Sequence, residues 1–234
     1  MQNEKSFEEL LSEFKEQIKE WTNQYRETNL KFVYNQNLDR LENNEIKYIL
    51  VGDNPGENEL NQNKYFVGEA GLIAKWFFKS ELNITSFEDE VLILNKTPIH
   101  SKTTNDLNDF YPEYLEVMME SQKYMANLIY KLQKILECRI IIVGSGGCRN
   151  SGFWDFQAQT NKNQKSLAFF YLEIKSLAQN DRDFAGKLFN FPHFSVMQFP
   201  RYLVNNVENV EELNENKIFE IGENYTNEIL SSVL

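Results

Sequence analysis

The sequence has few of the residues that mark a cross-linked, unstructured or membrane-spanning chain. Its 234 residues include only two cysteines, Cys138 and Cys148, which cannot frame a disulfide scaffold and indicate a reduced, cytoplasmic protein. Glycine and proline number 10 and 5, and 41% of residues are hydrophobic, which excludes disordered and collagen-like chains. No apolar run approaches the roughly 20 residues that span a bilayer, and the start MQNEKSFEEL does not resemble a signal peptide. We therefore expect a soluble monomer with no membrane partner.

Basic residues are also scarce, and the formal net charge at pH 7 is −11. The acidic excess lies near the termini. Residues 1–30 carry four bases and seven acids, residues 205–234 carry one base and seven acids, and the middle is close to neutral. Bulk attraction to nucleic acid is disfavoured, because it depends on lysine and arginine side chains that neutralise phosphates. The charge alone does not exclude a protein with a local DNA site.

Short apolar runs alternate along the chain with segments of helical periodicity. The predicted helices lie at about 5–26, 72–82, 112–136 and 167–177, and an acidic helical segment covers about 205–234. The predicted strands are 46–51, 91–94 and 139–143, followed by a fourth near residues 189–191. This order predicts one domain over residues 1–234, a three-layer α/β/α fold with a central, mainly parallel four-stranded sheet. Ligands of such folds bind beyond the carboxyl ends of the strands.

Residues with functional chemistry follow the predicted strands. The run Gly52-Asp53-Asn54-Pro55-Gly56 comes directly after the first strand and, taken alone, is typical of a tight turn. Before the next helix, Tyr65-Phe66-Val67-Gly68-Glu69-Ala70-Gly71 places aromatic side chains beside small residues. The later strands lead into Leu94-Asn95-Lys96-Thr97-Pro98, Val143-Gly144-Ser145-Gly146 and His193-Phe194-Ser195. These segments would all meet at one edge of a parallel sheet.

In this order, the motifs resemble those of the uracil-DNA glycosylase superfamily over about residues 46–204. The segment from Phe66 to Gly71, and its spacing from Gly52, are similar to those of the iron–sulfur branch. The resemblance implies a base-excision repair enzyme that hydrolyses the N-glycosidic bond of uracil, or of a related damaged base, in DNA. Its partner would be single- or double-stranded DNA, from which the target base is flipped into a pocket.

The resemblance also implies roles for individual residues. Asn54 would orient the attacking water, and Asp53 would be the catalytic acid residue found in the iron–sulfur branch. His193 would donate to uracil O2, where negative charge grows as the bond breaks. Phe66 would stack on the flipped base, and the Asn95 amide would complement the uracil edge. The remaining predicted pocket residues are Gly52, Pro55, Gly56 and Ser195. Backbone amides near Gly56 would be further hydrogen-bond donors to the base.

An apolar wedge is expected just after the final histidine, where it would fill the gap left by the flipped base. The candidates are Met197 and Phe199, one of which should then be exposed at the rim of the cleft beside His193. Few basic residues lie nearby in sequence, so we expect few phosphate contacts. Each residue also has an ordinary interpretation: Phe66 as core, Asn95 as a turn residue and His193 as a loop histidine.

The chain departs from the family pattern in several places. Two cysteines cannot ligate a four-cysteine cluster, and the histidines and cysteines lack zinc-like spacing, so no cofactor or metal is expected. Phe194 stands where family members usually have proline, and residues 149–186 differ from the shorter family connection, which makes them a candidate lid or protein-partner surface. The alternative function is a catalytically inactive member of the superfamily that acts as a nucleic-acid or protein binding module.

Overall fold

A computed structural model describes residues 5–110, 113–144, 167–194 and 198–232 of the chain. Its centre is a sheet of four parallel strands in the order β2-β1-β3-β4. The strands are β1 (Tyr48–Gly52), β2 (Val91–Asn95), β3 (Arg139–Val143) and β4 (Leu188–Phe191). Helices cover both faces, so the predicted three-layer α/β/α fold with a parallel four-stranded sheet is confirmed.

The helices connect successive strands and lie on either side of the sheet. They are α1 (Phe7–Gln24), α2 (Glu57–Gln62), α3 (Glu69–Glu81), α4 (Phe87–Glu90), α5 (Leu115–Leu136), α6 (Ala168–Asn180), α7 (Arg182–Ala185), α8 (Gln198–Asn205) and α9 (Glu215–Ser232). A 3₁₀ segment, Thr104–Phe110, precedes α5. Within the described ranges, no helix has both the length and the apolar character needed to cross a bilayer.

Alternate residues of each strand point into separate hydrophobic cores. In β1, Ile49 and Val51 belong to a core with α1, α5 and α6, whereas Leu50 faces a core built with α3, α8 and α9. This alternation follows from the two-residue period of a strand. Because both faces are covered, the strands are almost continuous apolar runs, which is why they were recognisable in the sequence.

The first helix forms close to where its periodicity predicts. Ser6 caps α1 by accepting a hydrogen bond from the Glu9 amide at 3.2 Å, and the Glu9 carboxylate accepts from the Ser6 amide at 2.7 Å. This reciprocal pair satisfies two backbone donors that a helix start would otherwise leave open. The helix then buries its apolar stripe, from Phe7 to Trp21, in the core that it shares with α5, where Phe14 and Trp21 contact the Tyr124 ring.

The acidic C-terminal segment, predicted as a helical tail over about 205–234, contains a helix that begins later, at Glu215, and packs on the sheet. A 3₁₀ turn, Val210–Glu212, separates α8 from α9. The last helix packs on β4, where Thr226 accepts a hydrogen bond from the Asn190 amide at 2.8 Å, and its residues Ile218 and Ile229 are fully buried. The segment is therefore part of the layer that covers the sheet, and its acids occupy the outer face.

Residues 149–186 are described in part. Residues 167–186 form α6 and α7, which pack against α5 and bury Phe170, Ile174 and Phe184 completely. Their large side chains belong to the core, so any lid or partner surface on these residues would have to use their outer face, and it stays a prediction. Residues 149–166 lie outside the described ranges, where the lid or partner surface stays a prediction.

Candidate active site

A cavity of about 620 Å³ opens at the carboxyl edge of the sheet. Four residues predicted to share a cleft, Asn54, Phe66, Asn95 and His193, all line it. They meet because the strands are parallel and in register: Gly52 at the end of β1 pairs with Asn95 at the end of β2. The predicted convergence of these side chains on one cleft is therefore what the structure shows.

Asn95 is buried at the bottom of this cavity. The residue is 2% exposed, and its Nδ2 finds no hydrogen-bond partner among the described residues. A buried donor without a partner is costly, at about 1–3 kcal/mol. The amide is thus an unsatisfied hydrogen-bonding group that lines a cavity large enough for a ligand.

Phe66 lies above Gly52 in a backbone conformation that is uncommon for a residue with a side chain. Its φ is 56°, and its amide donates to the Glu59 carboxylate. Gly71 at the start of α3 is required here, because a Cβ at that position would overlap the Phe66 carbonyl. Residues held at positive φ persist only where their surroundings fix them, and they concentrate at functional sites.

Glu59 holds the loop around the cavity in place, a role that the sequence analysis did not identify. Its carboxylate accepts hydrogen bonds from the Phe66 amide and, at 2.7 Å, from the Gly56 amide. Burial raises the pKa of Glu59, while these two amides act in the opposite direction. The Gly56 amide is therefore engaged within the protein, and donation into the pocket by other backbone amides near it stays a prediction. The signal in the sequence was a glutamate at the third position of a helix that follows a loop.

Asp53 is paired with a fully buried lysine, Lys96, which the sequence analysis also missed. The Lys96 ammonium contacts the Asp53 carboxylate, donates to the Val143 carbonyl at 2.6 Å and lies 5.2 Å from the Tyr171 ring centre. Burying an ammonium is unfavourable without such partners. Gly144 follows Val143 at a φ of 92°, and a Cβ there would overlap the Asp53 carboxylate. The ion pair therefore joins the carboxyl ends of three strands.

Asn54 is held in place by the loop that follows β2. Its Nδ2 donates to Ser101 Oγ at 2.9 Å, and its Oδ1 accepts from Thr104 Oγ1 at 3.0 Å. Pro55 is buried behind the cavity, where its carbonyl accepts from the Ser101 amide at 3.2 Å and contacts the His100 ring at 3.0 Å. The motif after β1 is thus a braced loop that presents Asn54 to the cavity.

His193 follows β4 by two residues and faces the same cavity. Burial lowers the pKa of His193, the Asp53 carboxylate raises it and the Lys96 ammonium lowers it. The net effect favours the neutral imidazole, which has one donor and one acceptor nitrogen. Because Asp53 and Lys96 both influence this ring, the ion pair and the histidine form one electrostatic unit.

The mouth of the cavity carries mainly acidic side chains. Glu57 and Glu69 are both exposed there, and Lys102 is the basic residue that lines it among the described residues. His100 lies 3.6 Å from Glu57 and braces that side of the loop. The mouth therefore does not attract phosphate, whereas Phe66, Asn95 and His193 offer a ring face, an amide and an imidazole to a ligand.

Phe199 is not at the rim of the cleft. Its side chain is fully buried, with its ring centre 4.5 Å from that of Phe194 and 4.6 Å from that of Phe77. Its role as a DNA wedge is therefore wrong, since a wedge must be exposed. The other predicted residues here, Ser195 and Met197, lie outside the described residues, as do Ser145 and Gly146.

In the part of the chain that the structure describes, no three histidine, cysteine, aspartate or glutamate side chains lie together as metal ligands would. Comparison with models of protein families gives no match, and none of the curated proteins matches the chain. The function must therefore be argued from the geometry of the site.

Proposed function

We propose that the protein is a DNA N-glycosylase that hydrolyses the bond between deoxyribose and uracil, or a related damaged base. The observation that carries this proposal is the buried Asn95 amide, with its unpartnered Nδ2, in one cavity with the Phe66 ring and His193. An aromatic face, an amide and a neutral imidazole are the groups needed to hold a flipped pyrimidine.

Recognition of uracil would depend on Asn95. The uracil edge presents one donor, N3–H, between two carbonyl acceptors, and a carboxamide offers the complementary acceptor and donor. Cytosine has an amino group and an unprotonated ring nitrogen at the corresponding positions, so it would face Asn95 with the wrong pattern. A site built around such hydrogen bonds discriminates strongly, because a mismatched base leaves buried polar groups unpaired.

His193 would stabilise the leaving base. As the glycosidic bond breaks, negative charge develops on the uracil ring, and a donor placed at O2 lowers the energy of that state. Burial lowers the pKa of His193, so its ring is neutral at physiological pH and can donate from one nitrogen. A neutral donor also avoids placing a second full positive charge beside Lys96.

The attacking water would be positioned by Asn54 and Asp53. Hydrogen bonds from Thr104 and to Ser101 fix the Asn54 side chain, and its Oδ1 still has a lone pair for a water molecule. Asp53 is fixed by Lys96 and contributes negative charge near the sugar, where positive charge develops in the transition state. Both groups would act by position and electrostatics.

A second candidate function is a binding module without catalysis. It is favoured because the two residues that would position the water already have partners within the protein. Asp53 is ion-paired with Lys96, and the Asn54 amide nitrogen and oxygen both form hydrogen bonds to protein groups. The acidic mouth, with Glu57 and Glu69, also opposes DNA phosphates. In this case the cavity would hold a base without cleaving it.

The two candidates are separated by a base-release assay. Oligonucleotides with one uracil would be presented single-stranded, opposite guanine and opposite adenine, and abasic sites revealed with alkali. Identical strands with thymine in place of uracil are the control. We expect release from uracil strands alone. Tight, uracil-selective binding without release would support the binding module, and the absence of both would contradict both candidates.

A further inference from the structure

A second cavity, of about 370 Å³, lies on the other side of Phe66 and shares Phe66, Gly68 and Gly71 with the active-site cavity. We call it the basic groove, because its lining includes the side chains of Arg40, Lys64 and Lys75. We propose that the basic groove and the exposed stripe of α3 beside it bind an unpaired DNA strand next to the flipped base. This inference rests on the proposed function, whose substrate it narrows to single-stranded DNA.

The charge of the groove is opposite to that of the protein. Arg40 and Lys64 are exposed, and neither forms an ion pair with a residue that the structure describes. Lys75 forms an ion pair with Glu88 at 2.5 Å. Glu88 is the acidic residue among the described residues that line the groove. In a chain with a net charge of −11, free cations beside an acidic cleft mouth indicate a separate place for phosphates.

Neighbouring acids do not neutralise the two unpaired cations, Arg40 and Lys64. Asp39, next to Arg40, is engaged by Lys15 at 2.5 Å and by the Tyr34 hydroxyl at 2.8 Å. Glu69, in the first turn of α3, lines the active-site cavity and not the groove. A strand can therefore pass from the base pocket over Gly68 and place its next phosphates among the groove cations.

The stripe of α3 that adjoins the groove consists of Leu72, Lys75, Trp76 and Lys79. Their spacing of three and four residues places them on one face of the helix. Leu72 is 71% exposed and Trp76 54% exposed, which are unusually high values for such apolar side chains. Cations interleaved with an exposed indole form a stacking platform for single-stranded nucleic acid, whereas paired bases have no free face to stack.

The sequence analysis predicted few phosphate contacts because few basic residues lie near His193 in the sequence. Arg40, Lys64 and Lys75 lie in three separate parts of the chain and come together only in the fold. Their contribution to binding should appear as a salt dependence that the acidic cleft mouth cannot produce.

The test uses a fluorescein-labelled oligothymidylate of about 15 nucleotides, which spans a typical single-strand site and offers no uracil to release. Binding would be followed by anisotropy over a range of salt concentrations. The groove variant combines Arg40→Gln with Lys64→Gln. Its matched control combines Lys131→Gln with Arg182→Gln, two exposed cations on helices that lead into the amino ends of β3 and β4.

We expect the groove variant to bind about tenfold more weakly at low salt, with a salt slope shallower by about 0.7 for each lost cation. The control should match the wild type. Trp76→Ala should lose about tenfold through lost stacking, while Trp76→Phe keeps an aromatic face and binds like the wild type. A duplex of the same length should bind more weakly than the single strand.

Absence of binding by the wild type, or equal effects of the groove and control variants, would overturn the inference. Uracil release is measured on the same variants, so that the two proposals fail separately. If the groove variant releases uracil as fast as the wild type, the proposed glycosylase activity stands and the proposed strand-binding site is rejected. If salt-dependent strand binding is lost in the groove variant but no substrate releases uracil, the strand-binding site is supported and the proposed glycosylase activity is rejected.

Discussion

Gly52 pairs in register with Asn95, and a Cβ at Gly52 would lie 2.5 Å from Asn95 Oδ1 and 2.8 Å from the Phe66 ring. The absence of a side chain at the end of β1 is thus what allows the amide and the aromatic ring to share one pocket. The glycine has this role because of its close neighbours, one of which comes from the adjacent strand.

We expect Gly52→Ala to reduce uracil release about a hundredfold, because displacing a binding group by about 1 Å has effects of that size. Initial rates on a single-stranded uracil substrate measure this. Gly186→Ala is the matched control, since a Cβ there meets nothing closer than 3.6 Å and lies far from the cavity in the chain before β4. Equal rates for Gly52→Ala and the wild type would show that the pocket tolerates the methyl group.

Asn95→Leu should abolish uracil release without lowering the thermal midpoint, because it removes a buried donor that has no partner. Asn190→Leu is the control with the opposite signature. It removes an amide that donates to Thr226 at 3.2 Å and should destabilise the fold by about 1 kcal/mol while leaving the cavity intact. Calorimetry and the release assay together measure both effects. A large loss of stability in Asn95→Leu would mean that the amide has a structural role.

Asn95→Asp examines recognition more narrowly. A carboxylate cannot donate to a uracil carbonyl, so discrimination between uracil and cytosine should fall, with a loss of several kcal/mol in transition-state binding. Competition between strands that contain either base measures the ratio of kcat/KM values. If the variant releases uracil as fast as the wild type, Asn95 is not the residue that recognises the base.

The strands and the backbone of the site could be predicted from local sequence. The run from Ile46 to Val51 is apolar and stops at a glycine, and the residues after each strand must meet at one edge of a parallel sheet. The predicted convergence of Asn54, Phe66, Asn95 and His193 required no long-range information beyond that rule.

The buried ion pair and the position of Phe199 could not be predicted in this way. Lys96 is separated by 43 residues from Asp53 and by 47 from Val143, and nothing local marks a lysine as buried. Phe199 was misassigned because an aromatic residue after the final histidine is compatible with a wedge, whereas its burial depends on Phe77 from α3 as well as on the nearby Phe194. Contacts between distant segments determined both outcomes.

Protonation of His193 should make stability depend on pH. Burial lowers its pKa in the folded protein below the ordinary value of 6.5, so between these two pKa values the unfolded chain binds more protons. The free energy of unfolding therefore rises with pH through this interval and is fully maintained above 6.5. Urea unfolding at several pH values should show a flatter profile for His193→Gln than for the wild type. Identical pH profiles would contradict a depressed pKa.

The catalytic contribution of His193 is tested by His193→Ala. We expect uracil release to fall about a hundredfold, as in the removal of one donor from an oxyanion hole. His100→Ala is the comparison with the other histidine, which braces Pro55 and does not line the cavity. An unchanged rate for His193→Ala would exclude this residue from the reaction.

Lys96→Met should destabilise the protein by about 3 kcal/mol, because it leaves the Asp53 carboxylate without its cation in a mostly buried position. Adding Asp53→Asn should restore much of the lost stability, since the unpaired charge is then removed, while uracil release stays low. Denaturant unfolding of the two single variants and the double variant gives the coupling energy. Additive effects would mean that the two side chains do not interact.

Phe199→Ala and Met197→Ala should now behave differently. Phe199 is packed between Phe77 and Phe194, so its removal should cost about 3–5 kcal/mol of stability and reduce release equally from single strands and duplexes. Met197 stays the predicted wedge, and Met197→Ala should reduce release from duplexes more than from single strands, where no base stack must be opened. Rates on matched single-stranded and duplex substrates, at a temperature where both variants are folded, separate the two roles. A selective duplex defect in Phe199→Ala would contradict its burial, and equal losses on both substrates for Met197→Ala would remove the wedge from the proposed mechanism.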